Sequence, residues 1–228
     1  MVYKMDFYNR MPRHGDDQNI YKTGTTTLAL KCKDGVVLGS DTRVTAGYFV
    51  AHKIGKKIFM IRPYIAVTIA GVVADAQAII DILKYNVNLY ELKYGKQVSA
   101  KAAARLLSFI LYRNRMFPLI TELIVAGKDL DGFSIYKLDP FGSLIKDNYT
   151  VSGSGSPIAI GVIESEYRED MSVNEGIPLA AKALLSAMKR DVASGDDFNI
   201  AIIDEKGYRE LSREEKDTYL KDMSDIRT

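Results

Sequence analysis

The sequence predicts an α+β fold in which antiparallel sheet segments are covered by paired helices. The hydrophobic period alternates in blocks, giving strands, two helices, strands, two helices and a strand. The turns between neighbouring strands are too short for the crossovers of a parallel sheet. A chain of 228 residues is the length of one domain with tails, able to bury roughly 70% of its unfolded surface.

The first two strands cover 25–33 and 35–41, joined at Lys33-Asp34-Gly35, whose Asp-Gly is a tight-turn signal. Two more, 57–61 and 64–70, are separated by Arg62-Pro63. Ala76, Ile79, Ile80, Leu83, Val87 and Tyr90 then recur at helical spacing, predicting a helix over 72–94 that stops before Gly95. Ala103, Leu106, Leu107, Ile110 and Leu111 predict a second helix over 99–115. After Pro118 the strand pattern returns at 120–127 and 132–138, with a turn at Asp139-Pro140-Phe141-Gly142 and a short strand at 147–152. Pro157 suits the start of a third helix. Ser172-Val-Asn-Glu175 has capping-box spacing and opens a fourth, with Ile177, Ala180, Ala181, Leu184 and Met188 on its apolar face, expected to stop at Ser194-Gly195. Phe198–Ile203 is a buried-type strand, and the charged tail after Leu211 is a solvated helix or irregular.

Composition excludes several function classes. A net charge of +2 announces neither a nucleic acid nor a membrane surface as partner. No apolar run approaches the ~20 residues of a membrane span, and residues 1–24 lack the apolar core of a secretory signal. The lone Cys32 fits a reducing compartment, so the expected location is cytoplasmic. No cluster has metal-ligand spacing, and His14 and His52 offer little to a serine triad, so no metal or cofactor is expected.

Gly24-Thr25-Thr26-Thr27 sits where a polar leader gives way to the first strand. A threonine hydroxyl needs a base to become a nucleophile. If Thr25 became a chain terminus, its own α-amine, with an ordinary pKa of about 7.7–8.0, would be that base. Glycine at 24 would let the backbone bend for attack on the preceding carbonyl. Read alone, the same threonines simply begin a strand.

Other groups invite the same double reading. Asp41 ends the second strand, near the Thr25 end of the hairpin; a solvated pair with Arg43 is the plainer alternative. Lys57 opens the third strand, where a charged amine would lower a hydroxyl pKa, or where two lysines would simply guard an edge. Gly71 closes the fourth strand at a helix start and could present an N–H to an oxyanion. Gly153-Ser154-Gly155-Ser156 lacks the parts of a nucleotide loop, so Ser154 is better placed to position another polar group. Asp191 in a last helical turn defies the helix dipole, a mild pointer to a site with Ser194.

Together these residues resemble a proteasome β subunit of the archaeal type. The matching stretches are Gly24-Thr25-Thr-Thr, Ser40-Asp41-Thr42-Arg43-Val44-Thr45, Gly55-Lys56-Lys57, Ile69-Ala70-Gly71 with Asp75-Ala-Gln77, Gly153-Ser-Gly-Ser156 and Arg190-Asp191-Val-Ala-Ser194-Gly195, in family order over Thr25 to about Leu211. The resemblance implies a four-layer αββα sandwich of the N-terminal-nucleophile hydrolase type. It also implies a leader at 1–24, a hydrolase domain at 25–211 and a charged tail at 212–228. By the same resemblance, cleavage between Gly24 and Thr25 exposes Thr25 as nucleophile. Lys57 activates its hydroxyl, Asp41 holds Lys57, and Ser154, Asp191 and Ser194 order the amine. The Gly71 N–H forms the oxyanion hole, and Val44, Thr45, Ile69 and Val73 meet the substrate, implying cleavage after hydrophobic residues. Implied partners are α and β subunits in stacked seven-membered rings, a regulatory ATPase and unfolded proteins. A leader-retaining structural subunit is the alternative. Asp196, where family members often carry glycine, places an extra carboxylate near the expected amine.

Overall fold

A computed structural model describes residues 24–46 and 49–221. The expected leader, apart from Gly24, and residues 222–228 of the expected tail lie outside the described residues.

In chain order the elements are β1 (Thr27–Cys32), β2 (Gly35–Asp41), β3 (Val44–Ala46), β4 (Phe49–His52), β5 (Ile58–Arg62), β6 (Ile65–Gly71), α1 (Val73–Tyr94), α2 (Ala100–Arg113), β7 (Thr121–Asp129), β8 (Gly132–Leu138), β9 (Leu144–Asp147), β10 (Tyr149–Ser152), α3 (Ser156–Glu166), α4 (Val173–Arg190), β11 (Phe198–Asp204), β12 (Gly207–Glu210) and α5 (Arg213–Lys221). Two five-stranded sheets form, ordered β10-β1-β2-β11-β12 and β5-β6-β7-β8-β9, with every strand pairing antiparallel.

Alternation along the strands decides what each sheet face touches. Leu28, Leu30 and Val37 turn outward onto Ile177, Ala180 and Leu184 of α4 and Ala159 and Ile163 of α3. Val67, Leu123 and Val125 of the second sheet pack on Ile79, Leu83, Leu107 and Leu111 of α1 and α2. The opposite faces, Ala29, Val36 and Leu38 against Ala66, Ile124, Ala126 and Ile135, meet in a third core between the sheets. The layers are therefore helix, sheet, sheet, helix: the expected αββα sandwich.

The helix ends follow their chemistry. Gly95 adopts a left-handed conformation (φ 63°) and its N–H caps α1 on Glu91 O. Ser99 caps α2, and Ser172 with Glu175 forms both halves of the capping box on α4. Two boundaries differ from the sequence reading, and the tail takes the helical of its two expected forms. α4 ends at Arg190 rather than at Ser194-Gly195, because Asp191 (ψ 113°) leaves the helix. The strand expected at 147–152 is two, β9 and β10, belonging to different sheets. The tail begins with a helix, α5.

Candidate active site

The register of the first hairpin brings the start of β1 to the end of β2, Thr27 opposite Ser40. The Asp41 N–H donates to Thr26 O (3.0 Å) and the Thr26 N–H returns a bond to Asp41 Oδ1 (2.9 Å). Thr25 and Asp41 are thereby fixed side by side, as the hairpin geometry predicts.

Asp41 is wholly buried and accepts four hydrogen bonds. Oδ1 takes Thr26 N–H and Lys57 Nζ (2.7 Å), and Oδ2 takes the N–H groups of Arg43 and Gly195 (3.1 Å each). Lys57, immediately before β5, also donates to Arg43 O at 2.6 Å. Burial pushes the Lys57 ammonium below the ordinary lysine value, against the pull of Asp41. Burial likewise raises the Asp41 carboxyl, opposed by Lys57 and by the Thr26 and Gly195 N–H groups. With four donors converging on it, the pocket is built around the carboxylate form.

A second network holds the other side of Thr25. Its N–H donates to Ser154 Oγ (3.2 Å), and Ser154 donates to Asp191 Oδ2 (2.6 Å). Ser194 donates to the same oxygen (2.6 Å), which leaves its hydroxyl to accept from Thr26 Oγ1 (2.7 Å). Asp191 is the C-cap of α4, its N–H bonded to Ala187 O, so it stands at the helix end that disfavours a negative charge. Its carboxylate accepts two hydroxyls there, from Ser154 and Ser194. Asp196 is held by Arg43, whose Nε–H donates to its Oδ2 at 2.9 Å. That bond holds its carboxyl below the usual range. It sits at φ 67°, a conformation that residues other than glycine seldom adopt.

The Thr25 hydroxyl donates to Gly24 O at 2.6 Å, which sets Oγ1 beside the carbonyl group of the peptide bond preceding it. The Gly24 N–H is held by Thr45 Oγ1 (2.7 Å), so Thr45 grips the backbone ahead of that bond and is not a cavity wall. Glycine at 24 is dictated by space: a Cβ there would lie 1.6 Å from the Ala193 Cβ. The flexibility inferred from sequence is therefore the lesser reason.

Gly71 ends β6 at φ 119°, where a Cβ would meet Ile120 O at 2.3 Å. Ile69 donates its N–H to Lys57 O (3.0 Å), toward β5. Strand alternation turns the Gly71 N–H to the same edge, beyond the first residue of β5 and toward Thr25.

Beside Thr25 opens a cavity of about 310 Å³, walled by Val44, Ile69, Val73, Phe59 and Ile54 and reaching Lys57 and Gly71. Val44, Ile69 and Val73 therefore stand together as expected. Phe59 and Ile54 were not picked out from sequence, nor were the Arg43 carbonyl and the Thr26 hydroxyl. The non-glycine turn at Asp196 and the position of Arg43 two residues after Asp41 were the available signals. Among the described residues no cluster of metal-ligating side chains occurs, and no helix is long and apolar enough to cross a membrane.

Comparison with known proteins shows the family. Residues 21–203 match the family model described as Proteasome subunit. A proteasome subunit beta of Methanocaldococcus vulcanius is 49% identical over 194 residues, 84% of this chain and 87% of that one. Proteasome subunit beta 2 of Aeropyrum pernix is 46% identical over 86% of this chain and 89% of its own length. Its namesake in Nitrosopumilus maritimus is 45% identical, covering 85% and 92%.

Proposed function

This chain belongs to the proteasome family as a β subunit, and we propose that it is a catalytic one, a threonine peptidase that exposes its own nucleophile. The observation that carries this reading is the Thr25 hydroxyl 2.6 Å from Gly24 O, between the buried Lys57–Asp41 pair and the Ser154–Asp191 network. In the intact chain that hydroxyl only donates to the carbonyl oxygen. Solvent water takes the hydroxyl proton as the oxygen's lone pair turns to the carbonyl carbon, and a proton is returned to the Thr25 nitrogen as it leaves. The Gly24–Thr25 C–N bond then breaks to leave an ester on Oγ1 and a free Thr25 amine. Water hydrolyses the ester, releasing a leader that ends in Gly24.

In the processed chain the new amine lies where the Thr25 N–H now meets Ser154. It takes the Oγ1 proton as the hydroxyl attacks a substrate carbonyl, and returns it to the leaving amine. Lys57 remains protonated and stabilises the developing alkoxide, while the Gly71 N–H receives the oxyanion. The assembly proposed for it is seven-membered rings stacked on α-subunit rings. An ATPase feeds them unfolded protein, in the cytoplasm.

Two predictions follow from these roles. The amine must be neutral, so peptide hydrolysis should rise as pH passes its pKa, ordinarily about 7.7–8.0. Lys57 must be charged, and because burial lowers its pKa the alkaline fall should begin below the range of an ordinary lysine. A kcat/KM–pH profile checks both limbs; a rate still climbing through that range would exclude a charged Lys57. The second concerns the apolar cavity. Peptides with leucine or phenylalanine before the cut should outpace alanine by on the order of 10-fold or more, since each buried methylene contributes roughly 1–3 kcal/mol. Basic residues there should be poor, because Lys56, Lys57 and His52 also border the cavity. Fluorogenic peptides varied at that residue measure this directly.

The test of the function itself is hydrolysis of such peptides by the chain assembled with its α subunits. A leader-retaining particle that hydrolyses none would make this a structural subunit.

A further inference from the structure

A second cavity, about 350 Å³, lies on the other side of Gly71, bordered by Thr121, Glu122, Pro140, Gly153 and Ser154. Gly71 lines both cavities, so the proposed oxyanion donor stands at their junction. Gly24, the residue before the cut in the intact chain, borders the apolar cavity. The leaving amine must be within reach of the Thr25 nitrogen that reprotonates it, and this nitrogen faces Ser154. A substrate with its preceding side chain in the apolar cavity therefore sends the residue after the cut into the second one.

That second cavity carries a carboxylate. Glu122 stands on β7 two and four residues before Ile124 and Ala126, which face the core between the sheets, so it projects between the sheets at their Thr25 end. From the opposite sheet the buried Ser152 hydroxyl donates to Glu122 Oε2 at 2.6 Å, fixing the side chain across the gap. One such bond leaves most of a carboxylate's acceptor capacity open. No cation among the described residues forms an ion pair with it, whereas Asp41, another acid close to Thr25, is paired with Lys57.

Resting on the peptidase reading above, we propose that Glu122 makes the second cavity a subsite for a lysine or arginine immediately after the cut. Glu122 is a specificity-determining residue on the leaving side, acting by charge, while the apolar cavity selects the residue before the cut.

The test uses the assembled, processed particle and two internally quenched peptides, identical except for lysine or glutamate directly after a leucine. The wild type should favour lysine in kcat/KM on the order of 2–5-fold, the size that a partly exposed ion pair supports. The preference should shrink as salt screens the charges. Glu122→Gln keeps an acceptor for Ser152 and should bring the ratio close to one. An unchanged ratio in Glu122→Gln, or a salt-insensitive or absent preference in the wild type, overturns the proposal. Failure of the wild type to cut either peptide overturns the peptidase reading, and this subsite with it.

Discussion

Thr25→Ala is expected to abolish both leader removal and peptide hydrolysis while leaving the fold intact. The side chain contributes one hydrogen bond, from its hydroxyl to Gly24 O, and that carbonyl is its own neighbour in the chain. Removing it strands no distant buried group, so the variant should assemble. What it loses is the hydroxyl that reaches the preceding carbonyl, and with it the nucleophile. Hydrolysis should fall to background and the chain should retain residues 1–24. Thr25→Ser, which keeps the hydroxyl, should still process. Mass spectrometry of the purified chains and a peptide assay read both effects. A Thr25→Ala chain that is shortened at Gly24 and active would remove Thr25 from the mechanism.

Replacing Lys57 should have the next largest effect. Its ammonium belongs to a residue that borders the cavity beside Thr25, and it is held in place by Asp41 at 2.7 Å and Arg43 O at 2.6 Å. Losing such activation costs on the order of 10²–10⁴ in rate. It also leaves Asp41 buried without its cation, and breaking a buried pair from one side destabilises by roughly 3–5 kcal/mol. Three backbone N–H donors remain on Asp41, from Thr26, Arg43 and Gly195, which offsets part of that. Lys57→Met preserves the stem that packs beside the apolar cavity and is the cleaner variant. It should assemble with a lowered thermal midpoint, process slowly if at all, and hydrolyse peptides at a small fraction of the normal rate. Near-normal hydrolysis by an assembled Lys57→Met particle would exclude Lys57 as the activating charge.

Much of this architecture was legible before the coordinates, and what was not had a physical cause. The long elements announced themselves: α1, α4, and the β6 and β7 strands carry enough apolar repeats to fix their period. β4 and β9 have four residues each and are largely exposed, and β3 has only three, so no hydrophobic pattern marks them. The Asp41–Thr25 proximity followed from the lengths of two paired strands. The place of Asp191 did not, because α4 ends three to four residues before the expected stop and its carboxylate acts beyond the helix. Ser194 lies three residues after Asp191 and was paired with it from sequence, but Ser154 reaches the same carboxylate from 37 residues away, which no local spacing encodes. The Arg43 carbonyl on Lys57 is a main-chain contribution, invisible to any reading of side-chain types. Glu122 looked like one polar residue in a strand; only the neighbouring sheet, through Ser152, gives it a direction.

The most direct test of the central claim, that Thr25 is a terminal nucleophile, is the intact mass of this chain purified from its assembled particle. The proposed mechanism predicts a chain beginning at Thr25, with residues 1–24 gone. A chain that still begins at Met1 in a particle that hydrolyses peptides would contradict it, because the amine proposed as base would not exist.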